Sequence, residues 1–144
     1  MTEQKREGPE RSYWLPRRGV IVRHNETFDR HAVFSECLCY RYDLFYKLGD
    51  TGPVVVFIML NPSTANELDP DPTVTRCMGF ARSLGASALR VSNIFALRST
   101  DPLELVKSDV LPVGPLNDQY ITDITEDEFV ICAWGEPSNA RLKR

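Results

Sequence analysis

Val54-Val55-Val56-Phe57-Ile58-Met59-Leu60-Asn61-Pro62-Ser63-Thr64-Ala65 is the stretch that decides the fold. Its first seven residues are an unbroken apolar run rich in β-branched side chains. That is far short of the roughly 20 residues a membrane helix needs, and it matches a strand covered on both faces of an α/β sheet. Downstream, Asp71 and Pro72 have the character of an N-cap and first helical residue, and Val74, Cys77, Met78, Ala81 and Leu84 follow at helical spacing until Gly85 closes the helix. Ala88 to Phe95 reads as a second apolar strand. Asp101-Pro102-Leu103-Glu104 reads as a helix start with Glu104 completing a capping box, and Leu116, Tyr120, Ile121 and Ile124 form a helical stripe. Phe129 to Trp134 is the third apolar strand. Strand, helix, strand, helix, strand is the order of a parallel sheet with helical crossovers. The expected fold is therefore α/β, a three-layer αβα arrangement around a short parallel central sheet.

Upstream, Gly19 to Arg23 and Ala32 to Leu48 are rich in Val, Phe, Tyr and Cys, and the second run alternates in part. They predict an antiparallel N-terminal element, closed by the turn signal Gly49-Asp50-Thr51-Gly52-Pro53. Met1 to Ser12 is polar and is expected to be disordered, leaving 13–144 as a single α/β domain. At 144 residues, 42% hydrophobic and 26% charged, the chain has the length and composition of one globular domain. A net charge of −3 argues against coating nucleic acid by charge alone, although a local basic groove is compatible with it. The charged N-terminus lacks the apolar middle of a secretory signal, so a cytoplasmic protein with no membrane partner is expected. Cys37, Cys39, Cys77 and Cys132 lack zinc-ribbon spacing and are expected to be buried, reduced thiols.

In open α/β sheets ligands sit beyond the carboxyl ends of the strands, here Asn61-Pro62-Ser63, Asn93 to Arg98 and Trp134-Gly135. The connection 61–70 is longer than the usual two to about six residues, and long loops tend to carry function. Asn61, stiffened by Pro62, can orient a water or read a base edge, or it caps a turn with Ser63 and Thr64. A neutral amide is too weak a base to take a proton outright. Ser63 is a poor nucleophile candidate because the histidines, His24 and His31, belong to the N-terminal element. Glu67, Asp69 and Asp71 are interleaved with Pro70 and Pro72 and read as solvated acids and a cap, so neither a metal nor another cofactor is expected. Arg98 either clamps a phosphate or pairs with an acid. Phe95 and Trp134 either offer an aromatic face to a base or fill the core. Arg141, Lys143 and Arg144 make a basic end.

The segments Val56 to Ala65, Asp71 to Cys77, Val91 to Pro102, Val113 to Asp118 and Ala133-Trp134-Gly135, in that order, closely resemble an uncharacterised bacterial and phage family, a domain of unknown function. A more distant resemblance is to the uracil-DNA glycosylase superfamily. Met59-Leu60-Asn61-Pro62 is similar to its Gly-x-Asn-Pro, Ser92-Asn93-Ile94 with Arg98 and Thr100 to a second strand end, and Phe129 to Gly135 to a strand ending in Trp-Gly. The resemblance implies a glycosylase-like fold that binds a nucleobase, a nucleotide or single-stranded nucleic acid. It further implies N-glycosidic hydrolysis with Asn61 positioning water, a ligand site formed by Pro62, Ser63, Thr64, Asn93, Phe95 and Trp134, and Arg98 stabilising it or holding phosphate. Those glycosylases carry a further segment after the last strand that enters the minor groove, and the sequence up to Arg144 lacks a match to it. A non-enzymatic accessory module that keeps the fold without catalysis is the rival expectation.

Overall fold

A computed structural model describes residues 17–107, 109–126 and 129–135. Strands β1 (Val20–Asn25), β2 (Arg30–Ser35), β3 (Arg41–Lys47), β4 (Val54–Met59), β5 (Ala88–Asn93) and β6 (Phe129–Cys132) form one six-stranded sheet of order β1-β2-β3-β5-β4-β6. The pairings among β1, β2, β3 and β5 are antiparallel, and those of β4 with β5 and β6 are parallel. The expected parallel trio is present. The expected antiparallel element is present as well, but its three strands continue the same sheet through the β3–β5 pairing, so the short parallel sheet expected is corrected to a six-stranded mixed one. The connection from β3 to β4 passes β5, held by Leu48 and Gly49 N–H groups donating to Ser87 O at 2.8 and 3.0 Å.

β4 is buried from Val55 to Ile58, as an unbroken apolar run requires of a strand covered on both faces. Val55 and Phe57 face a core that also contains Phe34, Leu44, Leu89 and Val91, covered by α1 (Pro72–Ser83) through Val74, Cys77, Met78 and Ala81. Val56 and Ile58 face the opposite core with Val33, Tyr42 and Phe95, covered by Leu105 of α2 (Glu104–Lys107) and by Tyr120 and Ile124 of α3 (Asn117–Thr125). Helices thus lie against both faces. Asp71 caps α1 as expected, its Oδ1 accepting from Val74 N at 2.8 Å with Pro72 in the first turn. Asp101 acts differently from expectation. α2 begins at Glu104, and Asp101 Oδ1 accepts from Leu103 N at 2.9 Å in a local turn, with no reciprocal Glu104 contact among the described residues.

β6 is the expected third apolar strand, ending at Cys132 rather than Trp134. It lies at the sheet edge beside β4, with Phe129 57% exposed. The cysteines also differ from expectation: Cys77 is buried, whereas Cys37, Cys39 and Cys132 are exposed. Cys37 and Cys39 sit in the turn between β2 and β3. Hydrogen bonding from the Cys39 thiol, then the Ser35 hydroxyl, holds the Cys37 thiol below its ordinary value. Among the described residues no helix is long and apolar enough to cross a membrane. The expected disordered segment Met1 to Ser12 and the basic end from Arg141 to Arg144 fall outside the described residues.

One irregularity decides what the sheet presents to the site. Val33 pairs with Asp43 but Phe34 pairs with Arg41, so Tyr42 is an extra residue in β3. Bulges of this kind re-aim side chains. Tyr42 and Asp43 turn toward α3, where Tyr42 stacks on Tyr120 with ring centroids 5.2 Å apart and Asp43 pairs with Arg90. Arg41 turns to the α1 face and donates to Ala65 O at 2.9 Å.

Candidate functional site

β4 is followed by α1 on one face, and its neighbour β5 by α2 and α3 on the other. That reversal opens a crevice beyond the carboxyl ends of the two strands. A cleft of about 250 Å³ lies there, walled by Met59 at the end of β4, Leu60 to Ser63 just after it, the start of α1 (Asp71, Thr73, Val74), Pro102, Ala133 and Trp134, with Arg41 also in its lining.

Asn61 is fixed by its own amide. Nδ2 donates to Ser99 O at 2.9 Å and to Pro62 O at 3.1 Å, which ties the loop after β4 to the loop after β5. Among the described residues Oδ1 takes no hydrogen bond, so the acceptor end of the amide is the one free to meet a ligand or water. Pro62 and Ser63 share the lining, and Pro62 O accepts from Ser99 N at 2.9 Å. Trp134 follows β6 and remains 39% exposed, which leaves ring surface for a ligand.

The remaining residues of the expected site do not wall the cleft. Thr64 is exposed to its side. Asn93 is 1% exposed at the end of β5 and lies behind the cleft, its Oδ1 accepting from Arg41 Nη2 at 3.4 Å. Asn117 holds that strand end by donating to Asn93 O at 2.8 Å and Ile94 O at 3.1 Å. Phe95 fills the core on the α3 face. Arg98 points to the turn between β2 and β3, donating to Leu38 O at 3.1 Å with its guanidinium 4.8 Å from the Phe34 ring centroid.

Arg41 is the residue that sequence reasoning missed. It is 2% exposed, donates to Ala65 O and Asn93 Oδ1, and its Nε is buried without a hydrogen-bond partner. Among the described residues no carboxylate lies within ion-pair distance of it. Burial pulls the guanidinium down to about 10, partly opposed by the charge of Asp71. At pH 7 it is still a cation. The sequence signal for it was a pair of opposite charges, Arg41 and Asp43, inside an otherwise apolar strand. Asp71 was read as a cap, and it also lines the cleft.

Only Asn61 to Ser63 of the loop 61–70 line the cleft. The rest lies across the antiparallel half of the sheet, where Arg41 and Tyr46 donate to Ala65 O and Asn66 O, Asn25 to Glu67 O and Arg30 to Leu68 O. Its length is spent on reaching from β4 across to β1 and returning to α1.

Fold and cleft together define a mixed α/β protein with a small cleft at its parallel strand ends. The chain belongs to DUF1643, a family of proteins of unknown function, whose profile matches residues 41–144. No curated protein and no solved structure matches it.

Proposed function

We propose that the strand-end cleft binds a nucleotide through its anionic group and hydrolyses an N-glycosidic bond there. The observation that carries this reading is Arg41. A buried charge without a counter-ion is costly, and a bound anion in the cleft would repay that cost. The start of α1 faces the same space, and its helix dipole favours negative charge. Trp134 offers a face on which a base can stack. The cleft lies just below the usual pocket range of about 300–1,000 Å³, which suits a mononucleotide unit better than a dinucleotide.

In the reaction, Asn61 Oδ1 orients a water whose oxygen adds to the anomeric carbon. The carbon–nitrogen bond breaks with its electron pair leaving on the base, and the water's proton passes to a carboxylate. Asp71 is the carboxylate in the cleft, with Oδ1 engaged at Val74 N and Oδ2 left to accept. The order of Asn61-Pro62, Asn93 and Trp134-Gly135 along the chain, as in the uracil-DNA glycosylase superfamily, supports this assignment.

Thermal shift with a nucleoside and its monophosphate, together with base release from single-stranded oligonucleotides carrying uracil, hypoxanthine or alkylated bases, tests both parts. The monophosphate should stabilise the wild type by about 2.7 kcal/mol at 100 times its dissociation constant, and Arg41→Met should abolish the advantage over the nucleoside. Base release should disappear in Asn61→Ala. Absence of any shift sinks the nucleotide reading. A shift without release leaves a binding module without chemistry.

A further inference from the structure

At the end of the sheet opposite the cleft, β1 and β2 place His24 directly across from His31. The imidazoles stack with centroids 3.9 Å apart and planes 9° from parallel. The turn that joins the strands ends at Asp29, whose φ of 49° lies in the left-handed region and whose carboxylate reaches both rings. Asp29 Oδ1 is 3.4 Å from His24 Nε2 and 3.4 Å from His31 Nε2. That is long for an N–H···O hydrogen bond, whose usual length is about 2.9–3.0 Å. It equals the edge of a coordination tetrahedron, since ligand atoms about 2.0–2.1 Å from one zinc ion stand about 3.3–3.4 Å apart. One ligand atom from each of the three residues lies within 4.8 Å of the other two.

We propose that His24 Nε2, His31 Nε2 and Asp29 Oδ1 bind a zinc-class divalent ion, with the fourth position left to water. Two imidazoles and one carboxylate suit zinc and its neighbours better than magnesium or calcium, which prefer all-oxygen shells. His31 is the fixed ligand, its side chain 10% exposed and packed edge-on to Phe45 with centroids 6.0 Å apart. The His24 and Asp29 side chains are 39% and 45% exposed, which gives the ion an entry path and lets the His24 ring tilt out of the stack to converge on it. Lys47 N donates to Asp29 O at 3.1 Å and anchors the turn to β3. The sequence reading weighed a metal only at Glu67, Asp69 and Asp71; His24 and His31 are seven positions apart, and the hairpin register brings them together. The ion would clip the edge strand β1 to β2, independently of the ligand in the cleft.

The test uses the full chain, reduced and freed of metal with a chelator, titrated with zinc by calorimetry and with cobalt(II) by absorption. One ion per chain is expected, with visible cobalt bands and no near-ultraviolet thiolate charge-transfer band, because all ligands are nitrogen and oxygen. His24→Gln and Asp29→Asn should each weaken binding at least tenfold while leaving the metal-free melting temperature within a few degrees. Zinc should raise the melting temperature of the wild type only. Absence of binding at millimolar metal would overturn the proposal. So would affinity unchanged in both variants, or a charge-transfer band that vanishes in Cys37→Ser/Cys39→Ser.

Discussion

Two arginines on neighbouring strands show how one residue type serves opposite ends. Arg90 is buried against Asp43, with Nε donating to the two carboxylate oxygens at 3.0 and 3.1 Å, both side chains being at most 2% exposed. Arg41 is equally buried with no carboxylate partner among the described residues. The first locks β3 to β5, and the second is the residue on which the proposed anion binding rests. Asp43→Asn removes the carboxylate and leaves the Arg90 charge in a dry core, so it should cost about 3–5 kcal/mol in urea unfolding. A loss below about 1 kcal/mol would mean that water or another acceptor reaches Arg90. Arg41→Met, by contrast, removes a charge with no carboxylate at ion-pair distance among the described residues, together with its bonds to Ala65 O and Asn93 Oδ1, so the ligand-free variant should lose less than Asp43→Asn, under about 2 kcal/mol in the same unfolding.

The elements differ in how plainly the sequence announces them. β4 was legible because seven apolar residues leave no solvated face, and α1 because Asp71, Pro72 and Gly85 punctuate a clear helical stripe. β6 has the same apolar character but lies exposed at the edge, since composition carries no record of strand order. The bulge in β3 was hidden for a related reason: alternation breaks at Tyr42, and only the partner strand shows where the extra residue falls. Asn61 and Trp134 could be placed at the cleft from topology, whereas Arg41 could not, because its face depends on that bulge. The turn before β4 is set by backbone fit. Gly52 has φ +114°, and a Cβ there would stand 2.0 Å from Gly85 O in the turn after α1. Gly52→Ala should therefore destabilise by more than about 2 kcal/mol in chemical denaturation, through strain and a backbone clash together. A neutral result would show that the two turns separate freely.

Across the whole molecule, stability should depend on pH through His31. Burial first, then the neighbouring charge of His24, lowers its pKa from 6.5, against the opposing pull of Asp29 and Asp43. The unfolded chain therefore binds the proton before the folded one does. The His31 contribution is fully present above pH 6.5, is lost as pH falls from there through the lowered folded value, and is constant below it. Urea unfolding in chelator between pH 8 and 5 should show a steeper loss in the wild type than in His31→Gln, and parallel profiles would refute the assignment.

The extra residue in β3 also bears on how such a site could arise. With strict alternation Arg41 and Asp43, two positions apart, would share a face and neutralise each other, and the cleft would have an uncharged floor. One additional residue sends the cation to one side of the sheet and the acid to the other. An in-frame codon inserted in β2 opposite Tyr42 would undo this sorting without altering any residue that lines the cleft. If the cleft binds an anion as proposed, that binding would be lost by a length change in the neighbouring strand, a kind of event that comparison of site residues alone would not register.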